Sequence, residues 1–252
     1  MEEKFIVFLD IDGTIVNVNP IPSERVINTI KKARENGHKI VLNTGRSRGF
    51  MEEELLTSVK PDGIICAMGQ YIEIDGKIIV CECMGEEHIK AAERYSEITG
   101  NGGYFEGING IYKIGKVKPV MPWPDRVDDC AQPLTEKDRG SILKFSFMTT
   151  LDEEHKNIFG EGLNVIQHPS YFETSLTGFS KSGGMEKVKE YFGIEKTIAI
   201  GDSKNDLDML LHADISVAMG NGDDVVKANA HYITDTLIND GAALAMEKFL
   251  EL

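Results

Sequence analysis

Phe5-Ile6-Val7-Phe8-Leu9 runs directly into Asp10-Ile11-Asp12-Gly13-Thr14, and this junction restricts the fold more than any other stretch of the chain. Five consecutive apolar residues rich in β-formers describe a strand buried on both faces, as in the interior of a parallel sheet covered by helices. The strand stops abruptly at two carboxylates. In an open α/β sheet, ligands lie beyond the carboxyl ends of the strands. Asp10 and Asp12 therefore stand where such a sheet does its chemistry, and at i, i+2 spacing on an extended backbone they share a face.

The chain continues in the alternation that such a sheet requires. A helix opens at Pro22-Ser23, carries Val26, Ile27, Ile30 and Ala33 on one side, and stops at Gly37. A second buried strand at residues 38–42 ends in Asn43-Thr44-Gly45-Arg46. A helix with Met51, Leu55 and Leu56 precedes a third strand at 63–67. Strand–helix–strand repetition implies parallel pairing through right-handed crossovers. Asp75-Gly76 then marks a hairpin between short strands at 71–74 and 77–81.

The pattern changes over residues 82–174. A helix with Ile89, Ala92, Tyr95 and Ile98 leads into short strands at 104–106 and 110–114. An irregular stretch at 116–138 follows, with Pro119, Pro122, Trp123, Pro124 and Pro133. Further strands are expected at 143–148, 163–167 and 171–175. The alternation resumes with a helix at 185–192 and a buried strand at 196–200 that ends in Gly201-Asp202-Ser203-Lys204-Asn205-Asp206. A helix at 207–211, a strand at 215–218, a Gly220-Asn221-Gly222 turn and a last helix through Ala243, Met246 and Leu250 complete the chain. The expected architecture is α/β: a doubly wound parallel sheet formed by residues 1–80 and 177–252, interrupted by an inserted α+β cap at 81–176.

Two strand ends thus carry carboxylates, Asp10 with Asp12 and Asp202 with Asp206. Like charges this close repel unless a cation sits among them, and an oxygen-rich set without histidine favours Mg2+ over Zn2+. Anion-binding groups lie at the same ends: the Thr44 hydroxyl, the Gly45 backbone, and Lys181 in Gly178-Phe179-Ser180-Lys181 before a helix. Carboxylates, Mg2+, a lysine and backbone donors together make a phosphoryl-transfer site.

In these motifs the chain resembles the haloacid dehalogenase superfamily of phosphatases, and in particular its Cof-type group with a large inserted (C2B-type) cap. Asp10-Ile11-Asp12-Gly13-Thr14 resembles the first motif, Asn43-Thr44-Gly45-Arg46 the second, Lys181 the third, and Gly201 to Asp206 the fourth. Val217-Ala218-Met219-Gly220-Asn221-Gly222 is similar to the Cof-type tail, and the resemblance covers nearly the whole length. It implies that Asp10 is the nucleophile and forms an aspartyl-phosphate. It implies that Asp12 protonates the leaving alkoxide and then activates water. Thr44, Gly45, Lys181 and Asn205 would contact the phosphate. Asp10, Asp202 and the Asp12 carbonyl would ligate Mg2+, and Asp206 would act on the metal indirectly. The chain departs from the family at Met68-Gly69, where an Asn-Gly pair near the substrate entrance is usual, and at Ser182-Gly183-Gly184 after the lysine.

Each residue also has a plain structural alternative. Asp10 and Asp12 suit a strand-end turn, Thr44 and Asn205 a helix cap, Lys181 a solvated helix start, and Asp206 a charge favoured by a helix dipole. Arg46 is expected to be structural or to lie at the rim, and is given no catalytic role. Trp123 lines the cap face or packs a proline-rich loop, and Glu173 and Thr174 are candidates for substrate contact. None of the six histidines is given a ligand role.

Composition narrows the function. Of 252 residues, 41 are acidic and 27 are Lys or Arg, a net charge of −14. That field repels nucleic-acid backbones and anionic membranes. No apolar run reaches the roughly 18 residues needed to span a bilayer, and the charged start is not that of a secretory signal. Cys66, Cys81, Cys83 and Cys130 lack zinc-ligand spacing and are expected to be reduced thiols of a cytoplasmic protein. The expected function is a Mg2+-dependent phosphatase of small phosphomonoesters, such as sugar phosphates or pyridoxal phosphate. The expected partner is a small phosphorylated metabolite, with neither nucleic acid nor membrane. The alternatives are a phosphomutase on the same core, a phospho-aspartate regulatory module, and a non-catalytic sugar-phosphate binder.

Overall fold

The computed structural model describes residues 3–116 and 131–252. Trp123, Cys130 and the prolines at 119, 122 and 124 lie outside the described residues. The chain divides into two compact units: Met1–Gly45, Met51–Val80 and Ser180–Leu252 form one, and Arg46–Phe50 with Cys81–Phe179 the other.

The first unit is the α/β core. Strands β1 (Ile6–Leu9), β2 (Lys39–Asn43), β3 (Gly63–Cys66), β4 (Tyr71–Ile74) and β5 (Lys77–Cys81) are joined in one sheet by β12 (Thr197–Gly201), β13 (Ile215–Ala218) and β14 (Tyr232–Ile233). The order is β14-β13-β12-β1-β2-β3-β4-β5. All pairs from β14 to β3 are parallel, and β4 returns antiparallel to β3. The chain therefore leaves β1 to build one half of the sheet and returns to β12 to build the other. This makes the β1/β12 boundary the switch point at which such sheets bind ligands.

The continuous apolar strands are buried on both faces, as their composition requires: Ile6, Val7, Phe8 and Leu9 have no exposure. Ile6 and Phe8 pack with Val41, Ile65 and Ala199. Met185 and Val188 of α5 (Lys181–Phe192), Met209 and Leu210 of α6 (Leu207–His212), and Val226 of α7 (Asp224–Asn229) cover that face. Helices α1 (Glu24–Glu35) and α8 (Gly241–Phe249) pack on one another. The Ser23 hydroxyl caps α1 by accepting from the Val26 N–H at 3.2 Å, as the Pro-Ser start implied.

α5 begins at Lys181, four residues before the expected start. Two glycines within its first turn hid the signal, because glycine has poor helix propensity. The Ser180 side chain caps the helix by accepting from the Gly183 N–H at 3.1 Å. Gly184 has a packing reason: a Cβ there would lie 2.7 Å from Ile65 Cγ2 of β3. Helix and strand meet more closely than any larger residue allows. α7 and the two-residue β14 carry too few residues to show a period.

The second unit is built on a six-stranded sheet of order β10-β11-β9-β6-β7-β8. Its strands are β6 (Gly103–Gly107), β7 (Ile111–Ile114), β8 (Gln132–Pro133), β9 (Ile142–Phe147), β10 (Leu163–Gln167) and β11 (Phe172–Leu176), with helices α3 (Glu86–Thr99) and α4 (Glu136–Arg139). The core strands β6, β9 and β11 pair antiparallel. Phe105, Phe145, Phe147 and Phe172 alternate along them onto one face and pack against Ile89, Ala92 and Tyr95 of α3. Ile98 is excluded from that core and is 54% exposed. The opposite face carries Glu106, Lys144, Ser146 and Glu173. Thr174 points to the aromatic side, where its hydroxyl bonds both the carbonyl and the N–H of Phe145, at 3.0 and 3.2 Å. It braces β11 to β9.

Cys66 is buried, Cys81 exposed and Cys83 half-buried, all as free thiols. Burial and the neighbouring Cys81 push the Cys83 thiol up to about 12. Among the described residues no helix is long and apolar enough to cross a membrane.

Candidate active site

Asp10 follows the last residue of β1, and its N–H still donates to the Ile200 carbonyl of β12 at 3.0 Å. The sheet ladder thus holds its backbone one residue beyond the strand. The chain then turns tightly: the N–H groups of Ile15 and Val16 both donate to the Ile11 carbonyl at 3.0 Å. Gly13 sits at φ +80°, and a Cβ on it would overlap the Asp202 carboxylate. Glycine is required twice over, by the backbone angle and by the approach of the fourth-motif loop. The Thr14 hydroxyl donates to Asp202 Oδ1 at 3.3 Å, and the Asn221 amide donates to the Gly13 carbonyl at 2.9 Å.

One oxygen from each of Asp10, Asp202 and Asp206 lies within 4.8 Å of the others. Lys181 completes the cluster. It is wholly buried, and its ammonium donates to Asp10 Oδ1 at 2.6 Å and to Asp206 Oδ1 at 2.5 Å. The other oxygen of Asp206 accepts from the Asp202 and Ser203 N–H groups, both at 3.0 Å. Asp206 therefore ties the lysine to the loop that carries Asp202, and both of its oxygens are engaged. Asn43 anchors the same helix start by donating to the Lys181 carbonyl at 3.2 Å.

The electrostatics follow from this crowding. Burial, then the Asp206 charge, hold Asp10 well above the usual carboxylate range, against the opposing pull of Lys181. Asp202 is pushed up to about 7, by burial first and by Asp206 second. Burial pulls the Lys181 ammonium down, but Asp10 and Asp206 more than offset it, and its pKa is raised. Carboxylates with raised pKa values around one another are a set that a hard divalent cation would relieve. Asp12, half-buried, is not one of the three converging carboxylates. Its charge nevertheless contributes to the upward shifts of both Asp10 and Asp202.

Thr44 is buried just past β2, and its N–H donates to the Ile65 carbonyl of β3 at 2.9 Å. A Cβ on Gly45 would stand 3.8 Å from the Asn205 amide nitrogen and from Met68 Sδ. The second and fourth motifs therefore come together at Gly45. Asn205 Oδ1 accepts from the Ser203 hydroxyl at 2.8 Å. Met68 and the preceding Ala67 both take left-handed backbone, φ 58° and 47°, a conformation costly for side chains other than glycine or asparagine. The Asn-to-Met departure thus falls on a strained turn at the edge of the cluster. Arg46 belongs to the second unit, where its guanidinium lies 5.5 Å from the centre of the Phe50 ring.

Gly13, Thr14, Asn43 and Asn221 carry no role in the sequence reading. Gly13 and Thr14 were visible within the first motif, Asn43 within the second and Asn221 within the Cof-type tail. Asn43 and Asn221 act through contacts 138 and 208 residues away in sequence, which no local pattern encodes.

Comparison with known proteins agrees with this geometry. The haloacid dehalogenase-like hydrolase family matches residues 7–246. The chain is 28% identical over 259 residues to the 5-amino-6-(5-phospho-D-ribitylamino)uracil phosphatase YcsE of Bacillus subtilis, covering 97% of this chain and 95% of that protein. It is 27% identical to YitU of the same organism, a phosphatase of the same description, over the full length of both. Among solved structures, one described as a HAD subclass IIB sugar phosphatase is 25% identical, with a TM-score of 0.81 over 98% of this chain and 100% of that one. A haloacid dehalogenase-like hydrolase from Bacteroides thetaiotaomicron, 23% identical, shares the fold with a TM-score of 0.86 over 98% of this chain and 99% of that one. The chain belongs to the haloacid dehalogenase-like hydrolase family and is a phosphatase, a phosphoric monoester hydrolase. Its inserted sheet groups it with the capped, Cof-type members.

Proposed function

We propose that the protein is a Mg2+-dependent phosphatase of small phosphomonoesters, such as sugar phosphates or pyridoxal-phosphate-like esters, working in the cytoplasm through an aspartyl-phosphate. The observation that carries this reading is the Asp10 carboxylate at the switch point, 2.6 Å from a buried ammonium and grouped with Asp202 and Asp206.

Asp10 attacks phosphorus with one carboxylate oxygen, forming an acyl-phosphate bond as the ester P–O bond breaks. Asp12 gives its proton to the departing alkoxide, then takes a proton from the water that attacks the acyl-phosphate. That second displacement releases inorganic phosphate and restores Asp10. Lys181, the Thr44 hydroxyl, the Gly45 backbone and the Asn205 amide hold the phosphoryl oxygens, with Lys181 locked in place by Asp206. Asp10, Asp202 and the Asp12 carbonyl would hold Mg2+. The donor set is all oxygen, and the pKa values of Asp10 and Asp202, raised by burial first and by the neighbouring Asp206 charge second, mark ionised forms that a cation would favour. When bound, the ion would shield the phosphoryl charge so that an anionic nucleophile can approach.

The test is phosphate release from a panel of small esters, with Mg2+ or with excess chelator, by wild type and Asp10→Asn. Metal-dependent release that Asp10→Asn lowers at least about 10³-fold supports the reading. Isomerised product without free phosphate points to a phosphomutase. No turnover, or a stable phospho-Asp10, overturns hydrolysis.

A further inference from the structure

Cys81 closes β5, and Cys83 follows it after one residue. Both belong to the second unit, and both are free thiols. Their side chains meet, because the Cys83 thiol hydrogen-bonds the Cys81 sulfur. Two residues that far apart on a flat strand stand roughly 6.6–7.2 Å apart at Cα. A disulfide spans at most about 6.8 Å there. The strand stops at Cys81, however, so Glu82 and Cys83 lie outside its extended ladder. Met84 then fixes the far end of the segment. It is buried among the aromatic residues of the second unit, and its N–H donates to the Ile142 carbonyl of β9 at 2.7 Å. The two sulfurs are thus held between anchored neighbours.

The thiols differ in access. Cys81 is exposed and Cys83 half-buried, whereas Cys66 in β3 has no exposure. Burial first, and then the charge and hydrogen bond of Cys81, raise the Cys83 thiol. Cys83 therefore keeps its proton and shares it with Cys81, and Cys81 is the sulfur that a solute reaches. One accessible sulfur in contact with one shielded sulfur is the arrangement of an attacking and a resolving cysteine.

We propose that Cys81 and Cys83 form a reversible dithiol–disulfide site oxidised by low-molecular-weight disulfides, with Cys81 attacking and Cys83 resolving. The Cys81 thiolate attacks one sulfur of the small disulfide. A mixed disulfide forms, the original S–S bond breaks, and one small thiol leaves with the electron pair and takes up a proton. Cys83 then gives up its proton and attacks Cys81 Sγ, and the second small thiol leaves in the same way. Two protein thiols lose two electrons and two protons, and the small disulfide gains them as two thiols. Capping Cys81 in the first step removes its charge, and with it part of what raised Cys83, so the first step readies the second. A ring closed over three residues gains little from chain entropy, and an exposed bond of this kind is readily reversed by thiols. In a reducing compartment it is a transient bond and not a structural one.

The experiment treats the folded, full-length protein, reduced and then freed of reductant, with glutathione disulfide. Remaining thiols are blocked with iodoacetamide before digestion with trypsin. The tryptic peptide Ile78–Lys90 holds Cys81 and Cys83 and no other cysteine. In wild type this peptide should lose two hydrogens and take no label, and dithiothreitol should restore both thiols. Cys83→Ser should stop with one glutathione on Cys81. Cys81→Ser should react about tenfold more slowly than Cys83→Ser, because burial still raises Cys83. A wild-type peptide that keeps two labelled thiols, or that accumulates glutathione without the internal bond, overturns the proposal. Equal rates for Cys81→Ser and Cys83→Ser also overturn it, because Cys81 would then not be the attacking sulfur.

Discussion

Lys181→Met isolates the electrostatics of the site. The wild-type ammonium is wholly buried, 2.6 Å from Asp10 and 2.5 Å from Asp206. Methionine matches the stem in volume and removes the charge, leaving two buried carboxylates without their cation. Breaking a buried pair in this way costs about 3–5 kcal/mol, most of it from the uncompensated partner. The deficit should depend on pH, with a definite sign. Asp10 already has a folded pKa above its unfolded value, and loss of Lys181 raises it further. A carboxyl shifted in that direction destabilises the fold at high pH and ceases to do so as pH falls through its folded pKa, when the folded state takes up the proton. Each extra proton bound by the folded state changes stability by about 1.4 kcal/mol per pH unit. Urea unfolding of metal-free protein, followed by far-UV circular dichroism at pH 8 and pH 5, measures the difference. The expected result is a deficit of about 3–5 kcal/mol at pH 8 that shrinks by more than about 1 kcal/mol at pH 5. A deficit below about 1 kcal/mol at pH 8, or one equal at both pH values, would refute the view that Lys181 is held by its charge.

Other perturbations test other parts of the structure. Asp202 sits at about 7 without metal, so Mg2+ must displace a proton below that pH; its affinity by calorimetry should fall about fivefold between pH 7 and pH 6, and a flat profile would contradict the assignment of Asp202 as a ligand. Gly13→Ala meets both a positive φ and the Asp202 carboxylate, so it should cost more than about 1 kcal/mol in urea unfolding and weaken Mg2+ binding; wild-type behaviour would mean that the turn is more adaptable than it looks. Phe145→Ala empties the aromatic core of the second unit, and a loss of about 3–5 kcal/mol in the transition of that unit is expected; a loss under about 1 kcal/mol would show that the remaining rings close the gap.

Much of the first unit is legible in the chain because its signals are local. Apolar runs such as Ile6–Leu9 specify a strand within a few residues, and Ser23, Asp75-Gly76 and the glycine-bounded turns mark ends by their own backbone chemistry. The same locality placed Asp10, Thr44 and Asp202 just beyond strand ends. Elements with a weak local signal were missed or shifted. The glycine-rich start of α5 lacks helix propensity but is capped by Ser180 and packed against Ile65, and α7 and β14 are too short for a period to show.

The amino-acid sequence determined which strands would be buried, that acidic motifs would follow them, and that a differently patterned module would interrupt the sheet. Only the tertiary structure decided how the charges are shared. Lys181 meets Asp10 across 171 residues and Asp206 across 25, and Asp206 uses both oxygens to hold the lysine and the Asp202 loop together. In the second unit, strand register sets Glu106 beside Lys144 and Ser146 beside Glu173. Pairing of this kind depends on which strand ends and side chains folding brings within hydrogen-bond reach, and a pattern of neighbours along the chain carries no record of it.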